Sequence, residues 1–365
     1  MSLPRPLKYL LGGAAIGGGL VAGGYTAIKI ADRAFSAPGY RGPASGHFDG
    51  ERFHNLGPMK HHTFGEFVRW RVSHEQGYWD DWTESAYGEL PPERVDGDGL
   101  RVTYINHATV LIQMSGLNIL TDPTWSYRVS PVKWAGPRRH REPGIQFKDL
   151  PPIDAVLVSH NHYDHLDLPT LRRLRRDHRP QFISGLGNRL LLEPNGVRDS
   201  VEVDWWQSVQ LDRDVRVTCV PAQHFSARGL SDRDRTLWCG FVIHGPAGAV
   251  YFSGDTAMGP HFDLVRQRFG HIRLALLPIG AYLPRWFMKP VHISPADAVA
   301  AHKILGASTS VAIHFGTFPL GDDGQYEPLE DLGRALAREG EPGPRFWVLD
   351  FGEGRDIPCA DDDAK

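Results

Sequence analysis

The chain has 365 residues, 41% of them hydrophobic and 23% charged, which is enough apolar side chain for one large α/β domain or two modest ones. A formal net charge of −3 provides no basic field, so nucleic acid is excluded as an expected partner. Three cysteines cannot build a disulfide framework: Cys219 and Cys239 lie in apolar runs that suit small core residues, and Cys359 falls in a polar tail.

The first element is the uncharged stretch 9–28, which as a helix would be about 30 Å long, enough to cross a bilayer core. Gly13 with Gly17, and Gly19 with Gly23, have the small-xxx-small spacing of membrane helices. A cleavage site is hard to find, because cleavage after Ala37 would have Phe35 at its −3 position and cleavage after Ala34 would have Asp32 there. Residues 1–34 are therefore read as an apolar membrane anchor or leader. Membrane association is expected, with a cytoplasmic protein as the alternative. Arg5 and Lys8 balance Lys29 and Arg33, which leaves the side of the membrane open.

Residues 35–100 are rich in Gly, Pro, His and Trp and have little periodicity, as expected of an irregular extension. From 101 to 358 the pattern is that of a folded catalytic domain, and 359–365 form a polar tail. Strands are predicted at 101–105, 109–114 and 118–121, with a Ser115-Gly116 turn between the last two. The apolar run 153–159 reads as a buried strand, and 168–176 as an amphipathic helix with Leu171 and Leu174 on one side. Further strands are predicted at 215–221, 237–243, 249–253, 273–278 and 310–313, and helices at 261–269, 295–305 and 327–338. Ser294-Pro295-Ala-Asp297 supplies an N-cap hydroxyl, a proline at the first helical position and an acid two further on. Strands interspersed with helices predict two sheets packed together with helices outside.

The chemistry concentrates at the end of the 153–159 run, where His160-Asn-His-Tyr-Asp-His165 places three imidazoles and a carboxylate in six residues. That ligand set suits Zn²⁺ or a similar divalent ion. A merely decorated surface loop would not explain a buried strand before it and a helix start after it. His224, Asp255 and His314 also close β-branched or aromatic runs. Strands that run the same way bring such exits to one edge. Singly each is an ordinary strand-end residue; together they read as the rest of a metal centre.

This constellation resembles the metallo-β-lactamase superfamily, which implies a four-layer αββα sandwich and two divalent metal ions, Zn²⁺ foremost. By that resemblance His160, His162 and His224 hold one ion, Asp164, His165 and His314 the other, and Asp255 bridges them. The lactamases commonly have cysteine at the position of Asp255; a bridging carboxylate is better suited to phosphoester hydrolysis. A narrower resemblance runs through Asn106-His-Ala-Thr-Val110, Leu120-Thr-Asp-Pro123, Gly136-Pro-Arg-Arg139, Pro221-Ala-Gln-His224, Pro278-Ile-Gly-Ala-Tyr282, Pro284-Arg-Trp-Phe-Met-Lys289 and Ala312-Ile-His-Phe-Gly-Thr-Phe318. These stretches look like the N-acyl-phosphatidylethanolamine phospholipase D family. The resemblance implies a zinc-dependent phosphodiesterase that uses a metal-bridging hydroxide and releases N-acylethanolamine and phosphatidic acid from a membrane phospholipid. Asp164 and Asp255 would then be catalytic as well as ligating. The chain departs from the animal enzymes at Lys289-Pro-Val-His292, where they carry Lys-Tyr-Gln-His.

Asp122 can orient a ligand histidine or simply form an Asp-Pro turn, and His292 can donate a proton to the leaving oxygen or serve a structural contact. Tyr282, Arg285 and Trp286 are expected to touch the lipid substrate, with Arg285 near a phosphate. A homodimer is left open. The main rival is a hydrolase of the same fold acting on another phosphodiester or a lactone. None of the eighteen histidines begins a His-x-Lys motif, and neither a Gly-x-Ser-x-Gly elbow nor a P-loop is present.

Overall fold

The computed structural model describes residues 32, 35–60, 62–340 and 343–359, so the apolar stretch 9–28 and most of the polar tail lie outside the described residues. Among the described residues no helix is long and apolar enough to cross a membrane.

Side-chain alternation within fully buried strands sets the layers. In chain order the first strands are β1 (Leu100–Asn106), β2 (Thr109–Met114), β3 (Leu117–Thr121), β4 (Ala155–Val158), β5 (Gln181–Gly185) and β6 (Val201–Val203). The chain continues through β7 (Ser208–Gln210), β8 (Arg216–Val220), β9 (Gly240–Gly245), β10 (Gly248–Phe252) and β11 (Ile272–Pro278). It ends with β12 (Ala307–Ile313), β13 (Phe346–Trp347) and β14 (Gly354–Asp356). These form two seven-stranded sheets, ordered β14-β1-β2-β3-β4-β5-β6 and β13-β12-β11-β10-β9-β8-β7. Ala155 and Leu157 of β4 point into the core that contains the second sheet, whereas Val156 and Val158 join a separate cluster on the other face.

The helices are α1 (Phe64–Val72), α2 (Leu168–Asp177), the one-turn α3 (Arg189–Leu192), α4 (His261–Phe269), the one-turn α5 (Arg285–Met288), α6 (Pro295–Leu305) and α7 (Glu327–Ala337). Leu171 and Leu174 of α2 cover the outer face of the first sheet. Helix α6 packs on β11 and β12, flanked by α4 and α7. The result is the four-layer αββα sandwich that the resemblance implied. Helix α6 begins with the Ser294–Asp297 capping box and ends at Gly306 in the left-handed region, φ 58°.

Strand direction positions the site. β3 to β6 are mutually parallel, and so are β10 to β13. Two antiparallel steps, β8 to β9 to β10, leave β8 running with β10, and the steps β1 to β2 to β3 do the same for β1. The exits of β1, β3, β4, β8, β10 and β12 consequently gather at one end of the sandwich.

The predicted strand 237–243 begins only at Gly240. The preceding Leu237 and Cys239 donate their N–H groups to Leu186 and Ser159 of the first sheet's loops. The extension is also more ordered than its composition predicts. Phe48 and Phe53 are buried in the main core, and Thr63 with Glu66 forms a capping box that starts α1. Gly88, Gly144 and Gly352 meet backbone to backbone, with Gly88 N–H donating to Gly144 O at 2.8 Å. A Cβ on Gly144 would lie 2.0 Å from Gly352 N, where neither backbone has a flexible end to move. Gly144→Ala is expected to destabilise the fold by about 3 kcal/mol, the range of an overpacked core, read as a lowered midpoint in urea denaturation.

Candidate metal centre

The segment 160–165 leaves β4 and turns sharply into α2, and its shape is held from outside. Arg228 donates through Nη1 to Asn161 O at 2.8 Å and Leu166 O at 3.0 Å, and its guanidinium lies 3.8 Å from the Tyr163 ring centre. Inside the turn, Leu166 N–H donates to His162 O at 2.8 Å.

All seven residues predicted to ligate metal come together at this end of the sandwich. His160 Nε2 lies 2.8 Å from His162 Nδ1, which lies 3.4 Å from His224 Nε2. In a second group, Asp164 Oδ2 lies 3.1 Å from His165 Nε2 and 3.5 Å from His314 Nε2. One oxygen spans both groups: Asp255 Oδ2 is 3.1 Å from His165 and from His314, 3.9 Å from His224 and 4.0 Å from His160. His292 Nδ1 lies 3.9 Å from the same oxygen.

Several of these buried atoms have no hydrogen-bond partner, among them His165 Nε2, His314 Nε2, His292 Nδ1 and Asp255 Oδ1. Leaving such atoms unpaired in the interior costs about 1–3 kcal/mol each, and more for charged groups. Divalent cations among them would satisfy the set, and imidazole nitrogens with carboxylate oxygens are donors that such ions accept. The residues fit a metal centre.

The electrostatics agree. Burial drives His162, His224 and His292 down to about 3 and His160 well below its usual value, which makes them neutral donors. Burial would also lower His165 and His314, but the neighbouring carboxylates, Asp255 first, outweigh it and lift His314 to about 9. Asp164 and Asp255 are held well below the usual carboxylate range, because the adjacent imidazoles overcome the opposing effect of burial.

Asp122, at the exit of β3, orients the cluster. It accepts Ser159 N–H at 2.7 Å and Ser159 Oγ–H at 2.6 Å, and its Oδ2 lies 2.6 Å from His165 Nδ1. Ser159 Oγ in turn lies 2.9 Å from His160 Nδ1. Likewise His224 Nδ1 faces Val291 O at 2.8 Å.

Sequence reading missed His107. It sits in the turn between β1 and β2 at φ 49°, with Nε2 2.9 Å from Asp164 Oδ2. Burial lowers its pKa to about 3, so a neutral ring faces the carboxylate and can donate Nε2–H to it. The signal was there: Asn106-His-Ala-Thr-Val110 puts a histidine in a tight turn where glycine or asparagine is usual.

A cavity of about 370 Å³ opens from the centre. Phe67 and Trp70 of α1, Phe225, and Phe287 and Met288 of α5 wall it, Lys60 and Arg233 add positive charge, and His292 faces it beside the metal cluster. Of the residues expected to touch substrate, Tyr282, Arg285 and Trp286 are not among its lining. The Tyr282 hydroxyl donates to Asp331 of α7. Arg285 donates to His292 O at 2.9 Å and Asp297 Oδ2 at 2.8 Å, which ties α5 to the start of α6. Trp286 is 41% exposed, with the Arg69 guanidinium 5.2 Å from its ring. The neighbours of Arg285 and Trp286 on the same turn, Phe287 and Met288, face the cavity.

Asp122→Asn is expected to weaken affinity for a divalent ion about ten- to a hundredfold, measured with zinc by competition with a chromophoric chelator. Because protons on His165 and His314 compete with the ion, affinity should also fall as the pH drops below about 9, the value to which His314 is raised. A pH-independent affinity would contradict this electrostatic picture.

Comparison with known proteins follows the same lines. A family described as the beta-lactamase superfamily domain matches residues 117–315. The chain is 38% identical over 282 residues to the N-acyl-phosphatidylethanolamine-hydrolyzing phospholipase D 1 of Caenorhabditis elegans, covering 72% of this chain and 79% of that protein. It is 35% identical over 257 residues to the mitochondrial N-acyl-phosphatidylethanolamine-hydrolyzing phospholipase D of Saccharomyces cerevisiae, covering 69% of this chain and 54% of that protein. Among solved structures, the metallo hydrolase Igni18 from Ignicoccus hospitalis shares the fold, at 19% identity and a TM-score of 0.54 over 72% of this chain and 99% of its own. The chain belongs to the beta-lactamase superfamily of metal-dependent hydrolases and, within it, to the family of the N-acyl-phosphatidylethanolamine-hydrolysing phospholipase D relatives.

Proposed function

We propose that this hydrolase cleaves the phosphodiester of N-acyl-phosphatidylethanolamine, releasing N-acylethanolamine and phosphatidic acid, with zinc as its metal. The observation that carries this reading is an aromatic-walled cavity that ends on two ligand groups spanned by one carboxylate oxygen, Asp255 Oδ2. An apolar wall suits acyl chains, and the paired groups suit a phosphodiester.

His160, His162 and His224 would hold one ion and Asp164, His165 and His314 the other, with Asp255 shared. Two such ions supply a nucleophilic water near neutral pH and neutralise charge that builds on the phosphoryl oxygens. The chain's own groups then set the geometry. Asp122 and His107 hold His165 and Asp164 in place, so the ligands need little rearrangement as charge develops. Val291 O fixes the tautomer of His224. His292 faces the cavity with an unpaired Nδ1, and its neutral ring can give a hydrogen bond to the departing alkoxide oxygen. Phe67, Phe225 and Phe287 exclude water from the acyl side. The exposed Val68 and Val72 follow Phe67 along α1, an apolar rim that supports approach to a bilayer, as does the apolar stretch 9–28.

The test is incubation of the metal-loaded protein with N-acyl-phosphatidylethanolamine and with bis(p-nitrophenyl) phosphate, with and without chelator. Both are expected to be cleaved and both activities to vanish on metal removal. Cleavage of the small diester without N-acylethanolamine release would leave a phosphodiesterase of other specificity. Asp255→Asn should lower kcat on the order of a thousandfold on either substrate; an unaffected rate would overturn the shared-ligand assignment.

A further inference from the structure

We infer that Arg233 is the phosphate-binding side chain of the cavity, a specificity-determining residue that contacts the phosphoryl oxygens from the side opposite the metal cluster. The inference rests on the phosphodiesterase reading above and deepens it.

Arg233 lies on the loop that follows His224, and the peptide that joins it to Asp234 is held at both its carbonyl and its N–H. Its carbonyl accepts Arg52 Nη1, and the next residue, Asp234, donates its N–H to Ser226 O at 2.8 Å. The side chain lines the cavity, and its guanidinium lies 4.1 Å from the centre of the Phe225 ring. That ring sits 4.5 Å from His162 and 4.9 Å from His224, centre to centre. One aromatic ring therefore packs against both the guanidinium and two imidazoles of the cluster. The cation is anchored but not encased, since the Arg233 side chain is 40% exposed.

The charges facing the cavity select the ligand. Its acidic lining residues are Asp164 and Asp255, both part of the metal cluster. Its cations apart from histidine are Lys60 and Arg233. Lys60 is drawn to the N-terminus of α1 by Glu66, at 2.8 Å. Arg233 meets Asp234 through Nε at 3.5 Å, a longer approach that engages the inner edge of the guanidinium. A neutral lactone would gain nothing from such a cation. A phosphodiester is an anion before and throughout cleavage, and the phosphomonoester formed from it carries more charge. A planar guanidinium presents two parallel N–H groups to two phosphoryl oxygens, and aromatic walls strengthen that contact by excluding water.

The experiment compares metal-loaded wild type with Arg233→Gln and Arg233→Lys. The readouts are KM and kcat for bis(p-nitrophenyl) phosphate, the inhibition constant of inorganic phosphate, bound metal per chain, and N-acylethanolamine release from mixed micelles. Arg233→Gln should raise both KM and the phosphate inhibition constant roughly ten- to a hundredfold, more than it lowers kcat, with bound metal unchanged. Arg233→Lys should recover part of the loss. An unchanged phosphate inhibition constant in Arg233→Gln would overturn the inference, and so would a loss confined to kcat and bound metal. Failure of the wild type to release N-acylethanolamine counts against the lipid substrate instead, because the phosphate constants are read separately.

Discussion

Asp164 and Asp255 are both buried, and their Oδ2 atoms lie 3.5 and 3.1 Å from the same nitrogen of His314. Two buried carboxylates this close stay ionised together only with positive charge beside them. Here protons on His165 and His314 can supply it, and cations can supply it better. Much of the surrounding structure works to keep this arrangement from relaxing. Arg228 clamps the turn that carries four of the ligands, Asp122 points His165, His107 braces Asp164, and strand direction brings the remaining ligands in from three separate exits. None of those braces touches the cavity in which substrate would sit.

The cluster of histidines and carboxylates was legible in the sequence because local pattern and chemistry coincide there. Buried strands announce themselves as apolar runs, and a ligand-type residue at the end of each stands out. The start of α6 was legible for the same reason, since Ser294, Pro295 and Asp297 act within four residues. What escaped depends on partners far along the chain. Arg285 reads as a free cation until Asp297 and His292 O are seen to occupy it. His107 is an ordinary turn residue until the fold sets it beside Asp164, 57 positions away. Strands β6, β7, β13 and β14, at two or three residues each, exist because a neighbouring strand offers an edge, and they have no periodicity of their own.

The extension supplies the other lesson. His62, Phe287 and Trp70 form a continuous stack, with ring centres 4.2 and 4.8 Å apart, and Trp70 Nε1–H donates to Asp322 at 2.8 Å. Helix α1 is fastened onto the catalytic domain and walls its cavity. The superfamily match begins at residue 117, so the metal cluster falls within the shared region and the α1 wall outside it, apart from His107. The cavity is thus walled from two stretches of chain, one inside the shared region with Phe225, Arg233 and Phe287, the other outside it with Phe67 and Trp70.

The mirrored sheets have a mechanical consequence. Residues up to β6 build nearly all of the first sheet and residues from β7 to β13 the second, joined by the short link 204–207 and by the return of β14. One half contributes His160, His162, Asp164 and His165; the other contributes His224, Asp255 and His314. Each ion would draw ligands from both halves and so act as a cross-link between them. Free energy released on binding metal would appear as resistance of the two halves to separation. Loading with metal and final docking of the sheets would then be coupled, and a loaded centre would fasten the sandwich as well as carry its chemistry.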